Sequence, residues 1–357
     1  MALYALLIHT FLRKKTVSLK KYNRLFWITQ ISVVGMLLSF PIQGYALISI
    51  TFSTMHIICS YVFAWWFWKD LKESKTFSTK MIKTALVFMV FSTIGVWAMG
   101  PLMTSSLRGS AWYYMAVQFY IHFQFNGWFI FAILAIFFTI LEKQKILLKR
   151  RLLPIFYLFI VVSCFLTYAL AVAWAKPLFP VFLINSTGVL FQLTALTFFL
   201  LIIWDSKRLI LASFPGIKGI LLRTAFFSFV VKILAQTFVV LPFFAKVAYT
   251  IRNYVIGFIH LILLGAVTCF ILAYALEQNQ LSMQSRLSKV GLWVIIAGFI
   301  LSEFVLFLQG TMFWGTMGFL PKYYELLFSV SALIPLGVFL FGLSQTKNLS
   351  SAQNQLS

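Results

Sequence analysis

The chain reads as an all-α polytopic membrane helix bundle with about ten transmembrane helices and both termini in the cytoplasm. Three observations predict this fold. The composition is strongly apolar, segments of bilayer-spanning length follow one another through short loops, and basic residues gather in alternate loops. Of 357 residues, 62% are hydrophobic and only 10% are charged, where soluble domains carry about 25%. Mean hydropathy is +0.96. The net charge of +22 would suggest nucleic acid in a soluble chain, but its distribution excludes that partner here.

Residues 1–24 form a cytoplasmic or interfacial N-terminal segment. Its first part, Met1 to Leu12, is apolar and contains His9. It is too short to span, and its charges follow the apolar run instead of preceding it, so it reads as an interfacial helix and not as a cleaved signal peptide. A ten-span transmembrane domain covers residues 25–344, with segments near 25–43, 46–68, 84–104, 113–140, 153–175, 178–203, 221–243, 254–275, 289–310 and 325–344. Residues 345–357 are a polar cytoplasmic tail.

The charges set the orientation. Arg13, Lys14, Lys15, Lys20, Lys21 and Arg24 precede the first span, and Lys69, Lys72, Lys75, Lys80 and Lys83 follow the second. Lys143, Lys145, Lys149, Arg150 and Arg151 follow the fourth. Lys207, Arg208, Lys218 and Arg223 follow the sixth, Arg286 and Lys289 the eighth, and Lys347 the tenth. Only Arg108, Lys176, Lys246, Arg252 and Lys322 fall on the opposite side. Positive charge marks the cytoplasmic side, so the number of spans is even and the basic loops face anionic lipid headgroups. Trp65, Trp66 and Trp68 then lie at the inner end of the second span, and Trp112, Tyr113 and Tyr114 at the outer end of the fourth, as interfacial aromatic belts do. The expected location is a cell (inner) membrane.

Cys59, Cys164 and Cys269 each sit in an apolar run without zinc or redox spacing, and read as small packing residues. The chain has no Gly-rich phosphate loop and no Ser-His-Asp order, and its seven Asp and Glu are too few for hydrolytic chemistry.

Within the fourth span, Gln118, His122 and Asn126 recur at i, i+4 and i+8, which lines them along one helical face. Polar groups at that depth are costly unless they face a protein interior, a cavity or a ligand. Two further histidines lie inside spans: His56 in the second and His260 in the eighth. All three spans run from the outer face inward. Counted from Tyr45, Trp112 and Arg252, the histidines lie roughly 12–16 Å below the outer ends of their helices. One reading is that each imidazole bonds a neighbouring helix. The other is that they bind haem iron, copper or zinc, the usual metals of neutral imidazole. No carboxylate or thiolate cluster accompanies them, which argues against structural zinc. Gly257 and Gly265 flank His260 with room for a flat apolar cofactor. Gln118 and Asn126 read as groups that orient His122 or a bound water. One short echo joins two of these spans: Ile121-His122-Phe123 with Gly127, and Ile259-His260-Leu261 with Gly265.

The run Met55-His56-Ile-Ile-Cys-Ser-Tyr61 resembles the second helix of haem–copper oxidase catalytic subunits. Gly257-Phe-Ile-His260-Leu-Ile-Leu-Leu-Gly265 resembles the late helix that supplies haem-ligating histidines in those oxidases and in nitric oxide reductases. The likeness extends to the haem- and copper-containing membrane proteins of the nitric oxide response. The resemblance implies a haem with His56 and His260 as its axial pair, His122 as a candidate second metal ligand, and copper as a further cofactor. It also implies a role in respiration, electron transfer or nitric oxide handling beside other respiratory membrane subunits. No His-His pair occurs and the late helix carries His260 alone, so a complete oxygen-reducing copper centre is not expected.

Two ionisable residues lie within other spans, Lys232 in the seventh and Glu303 in the ninth. Such groups mark a pathway, a relay or a ligand partner, or they pair with each other. Arg252, just outside the eighth span, is placed for an anionic group such as a haem propionate. Asn185, Gln192, Gln236 and Gln309 add polar lining. The alternative functions are a proton- or solute-coupled transporter lined by Lys232, Glu303, Gln118 and Asn126, and a non-catalytic membrane subunit.

Overall fold

In a computed structural model, the described residues are 1–12, 18–71, 75–146 and 148–354, with side chains described as far as residue 346. Arg13, Lys14, Lys15 and Lys72 of the basic flanks, the Lys347 side chain and residues 355–357 of the expected tail lie outside them. Every regular element among the described residues is a helix. The chain divides into two compact units, Met1–Leu147 and Leu148–Ser357.

The first unit contains α1 (Ala2–Leu12), α2 (Lys20–Gln43), α3 (Leu47–Asp70), α4 (Phe77–Thr104), α5 (Ala111–His122), a π-helical segment Phe123–Phe129, and α6 (Ile130–Lys143). The last three form one continuous crossing, Ala111–Lys143. Helices α2 and α3 pack as a hairpin, and α4 packs along the whole of α5, the π segment and α6. Their basic ends are tied by polar contacts. Asp70 accepts from the Tyr22 hydroxyl at 2.5 Å and from Lys21 at 2.8 Å, which joins the end of α3 to the start of α2. Glu142 accepts from the Ser78 backbone N–H at 3.0 Å and from its hydroxyl, joining the end of α6 to the start of α4. Thr76 caps α4 by accepting from Thr79 N at 3.2 Å, which satisfies one of the N–H groups a helix start leaves open.

Helix α1, expected as an interfacial helix, packs against the rest of its unit. Leu7 and Leu12 are fully buried, the Tyr4 ring stacks on Phe63 with centroids 4.0 Å apart, and the Tyr4 hydroxyl donates to Met89 Sδ at 3.1 Å. Lys143 donates to Thr10 O at 3.1 Å. A helix apolar on every face has no side suited to water, so it docks inside the unit. Burial pushes the Tyr4 phenol pKa up, keeping it a neutral donor.

The second unit contains α7 (Leu153–Leu166), α8 (Ala169–Ala175), α9 (Phe179–Ile203), α10 (Lys207–Ala212), α11 (Ile217–Phe238), α12 (Pro242–Thr250), α13 (Arg252–His260), a π-helical segment Leu261–Thr268, α14 (Cys269–Glu277), α15 (Arg286–Trp314) and α16 (Tyr323–Asn354). Helix α9 packs on α7, α11 packs on the second π segment and α14, and α15 pairs with α16. Lys218 and Glu277, 3.0 Å apart, tie α11 to the end of α14. Helix α16 continues to Asn354, so most of the segment expected to be a polar tail is helical.

Among the described residues, nine helical stretches are long and apolar enough to cross a bilayer. The seventh expected span, 221–243, falls on α11, which is not one of the nine and carries Lys218, Arg223 and Lys232. Its 22 residues reach about 33 Å, the thickness of a hydrocarbon core. It stops short of residue 243 because Leu241 is extended and Pro242 opens α12, as proline at a first helical turn does. Large apolar side chains cover the outside: Ile42, Leu47 and Phe179 are 85%, 80% and 77% exposed. So much exposed aliphatic and aromatic surface suits lipid and not water. The protein is a multi-pass membrane helix bundle.

Candidate functional site

The first unit holds His56 and His122. His56, half-buried in α3, places Nδ1 3.3 Å from Ser32 Oγ of α2. The Ser32 hydroxyl spends its own proton on Thr29 O at 2.7 Å. Its remaining lone pairs can only accept, so Nδ1 of His56 is the donor. The proton on Nδ1 leaves Nε2 of His56 with a free lone pair.

His122 closes α5, and the π segment begins at the next residue. Asn126 Nδ2 lies 3.3 Å from the His122 carbonyl and 3.5 Å from its Nδ1. A carbonyl only accepts, which fixes the Asn126 amide with its nitrogen toward His122. Nδ1 of His122 therefore accepts, and the ring proton resides on Nε2. This tautomer is opposite to that of His56. Gln118 lies one turn before His122 within α5, and Asn126 lies four residues after it in the π segment. Gln124, which the sequence did not single out, donates to Ser92 of α4 at 2.9 Å.

The second unit holds the tightest contact. His260, the last residue of α13, places Nδ1 2.8 Å from Glu303 Oε1 on α15. The proton lies between them and Nε2 again points away from it, the arrangement that orients metal-ligating histidines. Both side chains are partly open, at 34% and 21% exposure. One turn earlier, a Cβ at Gly257 would lie 3.2 Å from Glu303 Oε2, closer than ordinary van der Waals contact, so the glycine leaves the carboxylate its place beside the ring. Arg252 is exposed at the start of the same helix, about 12 Å along the axis from His260. Asn253 donates to the Tyr323 hydroxyl at 2.8 Å and anchors α13 to α16.

His122 and His260 share a local design. Each ends an α-helix, each is followed by a π-helical segment, of 7 and 8 residues, and each has a glycine five residues later. A Cβ at Gly127 would lie 2.6 Å from Phe88 of α4, and one at Gly265 2.3 Å from Ser228 of α11. The short sequence echo thus marks two π turns, each closed against the preceding long helix of its own unit. Such π segments concentrate at functional sites.

Lys232 does not pair with Glu303, which His260 engages instead. Helix α13 packs on α15, while Lys232 of α11 lies under Phe258, its ammonium 5.8 Å from the ring centroid. Gln309 donates to Gly318 O at 3.0 Å and accepts from Leu320 N at 2.8 Å, so it fastens the α15–α16 turn. The three cysteines are buried and form no disulfide. Among the described residues, no three His, Cys, Asp or Glu side chains are gathered as a metal centre made by protein alone requires. No protein-family model matches the chain, and no curated protein matches it significantly.

Proposed function

We propose that the protein is a haem-binding integral membrane protein, with His56 of the first unit and His260 of the second each a candidate haem ligand, acting in electron transfer, respiration or nitric oxide handling. The observation that carries this reading is the ring orientation of those two histidines. Each commits Nδ1–H to a partner, Ser32 or Glu303, and holds a lone pair on Nε2, where iron is bound. The Glu303 carboxylate raises the basicity of the ring it anchors. Arg252 supplies a cation for a propionate.

When bound, haem would supply one-electron redox chemistry or a site for a diatomic gas. The protein's part is to hold the imidazoles in one tautomer and to keep water from the site by its apolar helices. His122 carries its proton on Nε2 and serves better as a hydrogen-bond donor than as a copper ligand. A complete oxygen-reducing copper centre is not part of the proposal. The positive-inside pattern supports cytoplasmic termini in a cell (inner) membrane, and other respiratory membrane subunits are the natural redox partners.

An absorbance spectrum of protein purified after expression with ample haem tests this: a Soret band is expected, and its absence rejects the proposal. A second reading, proton- or solute-coupled transport, draws on Lys232. Uptake by haem-free vesicles that is lost on Lys232→Ala would favour it.

A further inference from the structure

The second unit contains a group of buried polar atoms that neither His260 nor Glu303 uses. Asn185 of α9 donates to Val239 O at 3.0 Å, and the neighbouring Ser186 donates to Val240 O at 2.9 Å. Further along, Phe199 of α9 meets Phe229 of α11 at 5.9 Å. These contacts fix the antiparallel register of α9 and α11. Gln192, seven residues after Asn185, is therefore level with Lys232, seven before Val239. Gln236 lies one turn from Lys232 on the same face.

All four side chains are more than nine-tenths buried: Asn185 is 0% exposed, Lys232 2%, Gln192 6% and Gln236 7%. Yet Asn185 Oδ1, Gln192 Oε1 and Gln236 Oε1 have no hydrogen-bond partner. The Asn185 orientation is fixed, because its nitrogen serves the Val239 carbonyl. Lys232 has no carboxylate within ion-pair distance among the described residues. Leaving such amide oxygens dry is costly, and an ammonium within a membrane with only an aromatic ring beside it costs more.

Apolar layers close both ends. Ala173, Phe182, Val239 and Ala245 pack around the Asn185 end, with Val189 of the same cluster between Asn185 and Gln192, and Phe156, Phe199 and Phe229 pack at the other. The missing partner must donate to three amide oxygens and accept from an ammonium. A halide or a carboxylate does only the second, and a lipid chain does neither. Water does both, and buried waters gather where several polar atoms lack partners.

We propose that the second unit encloses a hydrated chamber in which Lys232 binds and releases a proton, with water as the exchanging partner. The titratable groups around it are few. Cys164 of α7 lies within electrostatic reach, α9 contributes only amides at this level, and His260 on α13 is turned to Glu303. On α14, the Cys269 thiol donates to Leu264 O. Lys232 is thus the one amine within the chamber among the described residues. The proposal holds with or without haem, so a missing Soret band leaves it standing.

Solid-state NMR of the full chain in bilayers, labelled with 15N-lysine, tests it. The Lys232 signal is identified by its loss in Lys232→Met or, should that variant not fold, in Lys232→Arg. The expected result is a cross-peak between Lys232 Nζ and water protons, together with an Nζ shift that titrates between about pH 5 and pH 11. Gln192→Leu should weaken the water cross-peak while the other lysine signals stay in place. A Lys232 signal without water contact, or one unmoved across that range, overturns the proposal.

Discussion

Nδ1 of His260 lies 2.8 Å from Oε1 of Glu303, across the packed faces of α13 and α15. The contact sets the tautomer of the only histidine in the described part of the second unit and aims its other nitrogen away from the carboxylate. Replacing Glu303 separates orientation from packing. Glu303→Gln keeps an acceptor oxygen and should retain haem with an altered reduction potential. Glu303→Leu should lower haem affinity by about 10- to 100-fold. Haem titration of the purified variants measures both.

Ser32 plays the matching part for His56, with a neutral hydroxyl in place of a carboxylate. Ser32→Ala strands the Nδ1 proton, at a cost of about 1–3 kcal/mol. Thermal unfolding in detergent should show a lower Tm, and haem occupancy should fall less than in Glu303→Leu because a neutral acceptor orients a ring less strongly.

The three tautomers are directly measurable. In haem-free protein labelled with 15N-histidine, His56 and His260 should show an unprotonated Nε2, and His122 an unprotonated Nδ1. Asn126→Leu should abolish that preference in His122 alone. A common tautomer for all three would contradict the hydrogen-bond assignments.

The two glycines flanking His260 should respond differently. A Cβ at Gly265 would lie 2.3 Å from Ser228 Oγ and 2.9 Å from Phe299, so Gly265→Val should destabilise the protein by about 1–3 kcal/mol or more. At Gly257 the nearest atom is a carboxylate oxygen at 3.2 Å. Gly257→Ala need displace only that side-chain end, and should lower Tm by less than Gly265→Val does.

Tyr4 tests the docking of α1. Tyr4→Phe keeps the stack on Phe63 and loses only the bond to Met89, so its effect should be about 1 kcal/mol. Tyr4→Ala also removes the stacked ring and should cost about 3–5 kcal/mol. Equal effects of the two would place the stability of α1 in its leucines.

The helical crossings were legible because hydropathy and loop charge report directly on the bilayer, and the segment ends agree to within several residues. The burial of α1 was not. Its length excluded a span, but an apolar surface alone does not say whether lipid or protein covers it. The π segments leave no trace in hydropathy, since a shift of hydrogen-bond register changes no side chain; the repeated Ile-His with a glycine five residues on was their only signal. Lys232 and Glu303 looked like natural partners, yet which ionisable groups meet depends on helix rotation, and α13 turns His260 to Glu303 first. The histidine tautomers required Ser32, Asn126 and Glu303 in place, and of these Ser32 drew no notice in the sequence.

The central claim is that His56 and His260 ligate haem while His122 does not. Soret absorbance per mole of purified protein, compared among wild type, His56→Ala, His260→Ala and His122→Ala, tests it most directly. The account predicts a band in wild type and in His122→Ala, and a diminished or lost band in the other two. No band in wild type under ample haem supply, or an undiminished band in His56→Ala and His260→Ala, would contradict it.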